Sequence, residues 1–92
     1  MRDVVITLLT RPDCSLCGPV RRRVEAVAAT TGATWHEENI DEDPQLREKY
    51  TDLVPVVLVD GQEHSHWRVD EDALRKAVRR RQRPGLRGLF TR

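Results

Sequence analysis

The sequence predicts an α/β domain of order β-α-β-α-β-β-α with a four-stranded mixed sheet, and three stretches carry that prediction. Val4 to Leu9 is a near-continuous apolar run of strand length, rich in β-branched residues. That is the pattern of a strand buried on both faces and so central in its sheet. A helical stretch follows it and leads to a second strand, which is the form of a parallel crossover. Val56-Val57-Leu58-Val59 is another buried run, and the Asp60-Gly61 that ends it is a strong hairpin signal, so the last two strands are expected to be antiparallel.

Taken in order, Thr10 to Asp13 is the turn after the first strand. Pro19 to Thr31 places Val20, Val24, Val27 and Ala28 on one stripe, with Arg21, Arg22, Arg23 and Glu25 facing out or flanking it, and Gly32 ends the helix. Where this helix begins stays open between Ser15 and Pro19, because a start at Ser15 would forfeit a hydrogen bond at the proline in the second turn. Ala33 to Ile40 carries Thr34, Trp35 and Ile40 among polar residues, and its charges suit a strand at or near an edge. Asp41 to Asp43 followed by Pro44 signals a helix start, and Gln45 to Thr51 sets Leu46 and Tyr50 four apart on one face. Asp52-Leu53-Val54-Pro55 enters the third strand, and the hairpin returns from Gln62 to about Arg68. Val69 to Arg81 is the last helix, with Asp70, Glu71 and Asp72 in its first turn and Arg79, Arg80 and Arg81 in its last, matching the helix dipole at both ends. Ala73, Leu74, Ala77 and Val78 form its expected buried stripe.

The 92 residues suffice for one domain, expected over residues 1–83, with a basic C-terminal tail over 84–92. A composition of 38% hydrophobic and 34% charged residues is that of a globular chain. No stretch approaches the roughly 20 apolar residues of a membrane span. The first nine residues lack the features of a signal peptide, so a cytoplasmic monomer is expected. The net charge of +1 hides an asymmetry. Residues 37–52 hold seven acids against Arg47 and Lys49, while residues 79–92 hold six arginines and no acid. Solvated faces account for most such runs, and docking of a charged partner is the alternative use. Apart from Phe90 no aromatic residue interleaves the arginines, so nucleic acid is not an expected partner.

Both cysteines lie in Arg11-Pro12-Asp13-Cys14-Ser15-Leu16-Cys17-Gly18, between the first strand and the first helix. A disulfide closing four residues braces a fold by only roughly 2 kcal/mol in the loop-entropy account. In a reducing compartment such a pair is more often catalytic or metal-binding than structural. If the helix starts just after Cys14, its sulfur meets the positive end of the helix dipole, which favours the thiolate. Cys17, one turn in and facing the sheet, is then the resolving thiol.

Three features together resemble the glutaredoxins and their small glutaredoxin-like relatives in the thioredoxin-fold superfamily: the C-x-x-C pair at the first strand-to-helix turn, Val54-Pro55 opening the third strand, and Asp60-Gly61 joining the third strand to the fourth. The resemblance covers residues 3–80 and implies a thioredoxin-like fold and a thiol-disulfide oxidoreductase. It further implies that the Val54-Pro55 bond is cis and close to the cysteines, with the Val54 backbone presented to an extended substrate. Arg11 matches a basic residue common in the family, suited to favouring the thiolate or holding a glutathione carboxylate. Ser15 and Leu16 differ from the residues usual between the cysteines in either family, and Asp13 stands where thioredoxins carry tryptophan. A charge at Asp13 opposes a thiolate at Cys14. The Gly-Gly pair usual in glutaredoxins is replaced by His64-Ser65-His66-Trp67-Arg68-Val69-Asp70, in which Asp70, or Asp72 just beyond, is the candidate to hold a glutathione ammonium. No bound cofactor is expected. Glutathione and a reductase protein both remain electron donors to consider, and the bulkier stretch leans toward a protein partner. The rival readings are a non-catalytic binding module and a structural zinc site using Cys14, Cys17, His64 and His66. His-x-His on a strand fits finger spacing poorly, so no metal is expected.

Overall fold

The computed structural model describes residues 3–82, so the expected boundary at residue 83 and the basic tail lie outside the described residues. Strand β1 (Val5–Thr10) is followed by helix α1 (Cys17–Thr31), strand β2 (Thr34–Asn39), a 3-10 turn at Ile40–Glu42 and helix α2 (Pro44–Tyr50). Then come β3 (Val56–Val59), β4 (Gln62–His66) and α3 (Glu71–Arg81). The sheet order is β2-β1-β3-β4, with β1 and β2 parallel and the other two pairings antiparallel. β1 is therefore central and β2 lies at an edge, as their compositions require.

Period-2 alternation along the strands feeds two apolar layers. On one face Ile6, Leu8, Val57 and Val59 meet Val20, Val24 and Val27 of α1 and Leu74 and Val78 of α3, with Trp35 partly buried against them. On the other face Leu9 and Val56 meet Ile40 and Tyr50, flanked by Leu46, Leu53, Val54 and Leu58. Both sides of β1 are thus covered, by the helix pair on one and by the short α2 on the other. Gln82 is buried and donates through Nε2 to the Thr31 carbonyl at 2.9 Å, tying the end of α3 to the end of α1.

The connections follow their turn chemistry. Gly32 has φ of 79° and donates to the Ala28 carbonyl, closing α1 with a left-handed cap. Asp60 and Gly61 both have positive φ, 50° and 84°, as a two-residue hairpin turn demands. Asp43 caps α2 through hydrogen bonds to its side chain from the Gln45 and Leu46 N–H groups.

One open boundary is resolved and two expectations are corrected. α1 begins at Cys17, after a turn at residues 15 and 16 and inside the interval from Ser15 to Pro19 that the sequence leaves open. With this start Pro19 is the third helical residue, where an N–H would have no intrahelical partner, so the proline costs no bond. β4 stops at His66 because Trp67 takes a φ of 68° and the Arg68 N–H closes a tight turn onto the His66 carbonyl. α3 starts at Glu71, and Ala73 is exposed, so its buried stripe is carried by Leu74 and Val78.

Candidate active site

In a parallel β-α-β unit the carboxyl ends of both strands and the start of the helix fall on the same edge of the sheet. β1 ends at Thr10 opposite Asn39 at the end of β2, and the turn leading to α1 carries the cysteines over that edge. The antiparallel pairing of Leu9 with Val56 and of Val56 with His66 brings the start of β3 and the end of β4 to the same end.

Cys14 and Cys17 are joined there, with an S–S distance of 2.17 Å and Cα atoms 5.5 Å apart. The two sulfur-bearing residues differ in access: Cys17 is 3% exposed, whereas Cys14 is only partly covered. The Cys17 N–H donates weakly to the Cys14 carbonyl, at 3.4 Å, and the N-cap of α1 is Leu16, which has no side-chain acceptor for the first-turn N–H groups. Leu16 itself is exposed between the cysteines. Asp13, immediately before Cys14, is exposed and has φ of 66°. Asp tolerates this left-handed region better than most residues.

A cleft of about 400 Å³ opens beside the pair, with Arg11, Asp13, Arg21 and Glu37 in its wall together with both cysteines. The Arg11 Nε donates to Asp41 Oδ1 at 3.1 Å, so the guanidinium expected to serve the thiolate or a glutathione carboxylate already has an anionic partner. Arg21 grips Glu37 with two hydrogen bonds, Nε to Oε1 at 2.7 Å and a terminal nitrogen to Oε2 at 2.8 Å, and the Thr10 hydroxyl donates to Oε2 at 3.0 Å. The hydrogen bond from Arg21 holds the Glu37 carboxyl below the usual carboxylate range, with burial opposing it and the Thr10 bond assisting.

Sequence reading treated Arg21 as a surface charge and Glu37 as an edge charge, and so missed both. The signal lay in the topology, since a residue near the carboxyl end of a strand parallel to β1 must approach the cysteine turn. The pair also has a pH consequence. Because the folded carboxyl titrates lower than the unfolded one, its stabilising contribution is complete above the ordinary value of 4.5 and is lost as pH falls through the lowered folded value. Both side chains are about a third exposed, so the contribution is below about 1 kcal/mol. Urea midpoints measured from pH 6 down to pH 3 are expected to fall less steeply in Glu37→Gln than in the parent chain.

The other expected site residues are distributed as follows. The Val54-Pro55 bond is cis. Pro55 is buried, and its carbonyl accepts from the Trp67 N–H at 2.8 Å, while the Trp67 indole Nε1 donates to the Asp52 carbonyl at 3.0 Å. The Val54 N–H and carbonyl make no hydrogen bond with the described residues. Asp70 caps α3, its carboxylate accepting from the Ala73 N–H at 3.1 Å, and it lines a second cleft of about 570 Å³ with Arg23 and Arg68. His64 is half-buried and its pKa is lowered by burial and then by Arg80, with Asp70 opposing. His66 pairs with Glu63 at 3.2 Å and stands edge-on to the Trp67 ring. Among the described residues no three His, Cys, Asp or Glu side chains gather as metal ligands would.

No described helix is long and apolar enough to cross a membrane. The Glutaredoxin-like domain (DUF836) family matches residues 5–79. Uncharacterized proteins of Mycobacterium tuberculosis and Mycobacterium bovis are each 36% identical over 80 residues, covering 82% of this chain and 82% of theirs. Among solved structures, a protein of X. campestris superposes with a TM-score of 0.65 at 30% identity, covering 82% of this chain and 96% of its own. A thioredoxin from Halobacterium salinarum superposes with a TM-score of 0.66 at 27% identity, covering 86% and 74%. A protein from Nitrosomonas europaea reaches a TM-score of 0.73 at 22% identity, covering 84% and 93%, a likeness of fold. The fold is thioredoxin-like, as the order of elements implies.

Proposed function

The chain belongs to the Glutaredoxin-like domain (DUF836) family, and on that premise we propose that it is a thiol-disulfide oxidoreductase acting on protein or small-molecule disulfides. The observation that carries the proposal is the unequal access of two cysteines close enough to bond. The accessible Cys14 is the nucleophile and the buried Cys17 is the resolving thiol. In the reduced form the Cys14 thiolate attacks one sulfur of a substrate disulfide, whose S–S bond breaks and releases a thiolate. Cys17, after losing its proton, attacks the Cys14 sulfur and expels the second substrate thiolate. The substrate gains two electrons and two protons, and the enzyme is left with the Cys14–Cys17 disulfide. α1 opens at Cys17, so the positive end of its dipole faces the cysteine turn and favours an anion there.

Val54 fits the role of a strand-like docking point, since its backbone polar groups have no partner among the described residues. Arg11 joins the site through the shared cleft, and Asp70 is retained as a weaker candidate at the start of α3. A cytoplasmic setting, with a reducing pool to return the enzyme to its dithiol, completes the proposal. For the electron donor, a protein is favoured over glutathione, because Arg11 is already paired with Asp41.

The test is steady-state reduction of a disulfide substrate with glutathione and its reductase in one reaction and a thioredoxin reductase system in another. Turnover in the second exceeding the first is expected. Efficient, saturable turnover with glutathione alone would reverse the donor assignment, and no turnover with either, from reduced and folded protein, would favour a binding module.

A further inference from the structure

We propose that Asp13 determines substrate specificity by charge, biasing exchange at Cys14 toward disulfides that carry positive charge next to the sulfurs and away from anionic ones. The inference rests on the thiol-disulfide exchange reading. Of the charged side chains in the wall of the Cys14 cleft, Arg11 is neutralised by Asp41 at 3.1 Å and Arg21 by the two-pronged grip on Glu37. Asp13 alone among them has no ion pair and no hydrogen bond to its carboxylate among the described residues. It is also the residue adjoining the nucleophile, exposed, and fixed by a φ of 66°. An incoming disulfide therefore meets one uncompensated negative charge on the residue next to the nucleophile, while both cations that would welcome a carboxylate are already engaged.

The selection is set in the first step. The Cys14 thiolate forms a bond to the near sulfur of the substrate and the far sulfur leaves as a thiolate, so no other reactant is needed. A cationic group on the near half of the substrate is attracted to Asp13 during encounter and in the transition state, and an anionic group is repelled. At separations of about 8 Å in an environment close to water, replacing one unit positive charge on the substrate by a unit negative charge changes the rate about fivefold. Screening by salt shortens the reach of this field to about 3 Å at 1 M.

The test uses three small aliphatic disulfides with the reduced protein: cystamine as the dication, 3,3′-dithiodipropionate as the dianion and bis(2-hydroxyethyl) disulfide as the neutral probe. Their leaving thiols differ in basicity, so the quantity read is the change in the cystamine-to-dithiodipropionate rate ratio between the parent and Asp13→Asn. Asn keeps the tolerance of positive φ and removes only the charge. Asp13→Gly, which accepts the same φ without strain, serves as a second uncharged variant. The ratio is expected to fall about fivefold in both variants at low ionic strength and to differ little from the parent at 1 M salt. A ratio unchanged in both variants at low salt, while the neutral disulfide still reacts, would overturn charge selection and leave the exchange reading standing. Failure of the parent to react with the neutral probe would overturn the exchange reading, and this inference with it.

Discussion

Replacing Cys14 by serine is expected to remove disulfide reduction altogether, a loss of at least about a thousandfold, because a hydroxyl is not ionised at neutral pH and no other thiol in the chain can take the accessible position. Cys17→Ser is expected to behave differently. The first bond still forms, but the step that releases the product has lost its nucleophile, so a mixed disulfide accumulates on Cys14. Mass spectrometry of the variant after incubation with a small disulfide reads the adduct directly, and iodoacetamide labelling of the parent at limiting reagent is expected to mark Cys14 before Cys17. Equal activity in Cys14→Ser and the parent would reverse the assignment of roles. The asymmetry follows from placement, since Cys17 is buried at the opening of α1 and Cys14 sits, only partly covered, in the turn before it.

The second large effect falls on stability. Leu8→Ala is expected to cost about 3 kcal/mol, since the lost side chain is fully buried in the layer shared by β1, α1 and α3 and the cavity left behind cannot collapse between two paired neighbours. Leu8 stands opposite Glu37 of β2 on one side and Val57 of β3 on the other. For a domain of this size the change corresponds to a fall in Tm of more than about 10 °C. Thermal or urea unfolding followed by circular dichroism measures it, and a loss under 1 kcal/mol would show that the central strand can repack.

Much of this was legible in the chain. The continuous apolar run of β1, the Asp60-Gly61 turn and the acid-to-arginine gradient of α3 each state a local preference that the fold obeys, and together they specify the order of elements. The cysteine turn marks the candidate site, whose cleft both cysteines line. What stayed hidden depends on partners distant in sequence. Arg21 reads as one of three adjacent arginines on an exposed helix face, and nothing local distinguishes it from Arg22. Its role appears only when the parallel register sets Glu37 within reach, 16 residues away. Arg11 likewise shows no local sign of its partner, Asp41, which lies in a 3-10 turn 30 residues on. The end of β4 was misplaced for a related reason. Trp67 has high strand propensity, but the hydrogen bonds from its indole to Asp52 and from its backbone to Pro55 draw it out of the strand.

Those two hydrogen bonds give the domain a built-in optical reporter. Trp67 is about half exposed, 52%, and is fastened to the Asp52–Pro55 segment, whereas Trp35 is partly buried against the main apolar layer. The two indoles therefore sit in surroundings of different polarity, and the water-facing one emits at longer wavelength. An event at the Val54-Pro55 segment reaches Trp67 through its own hydrogen bonds while leaving Trp35 in place. Docking of a polypeptide at that end of the sheet, as proposed for Val54, would thus change the colour of intrinsic emission, readable in real time and without a label.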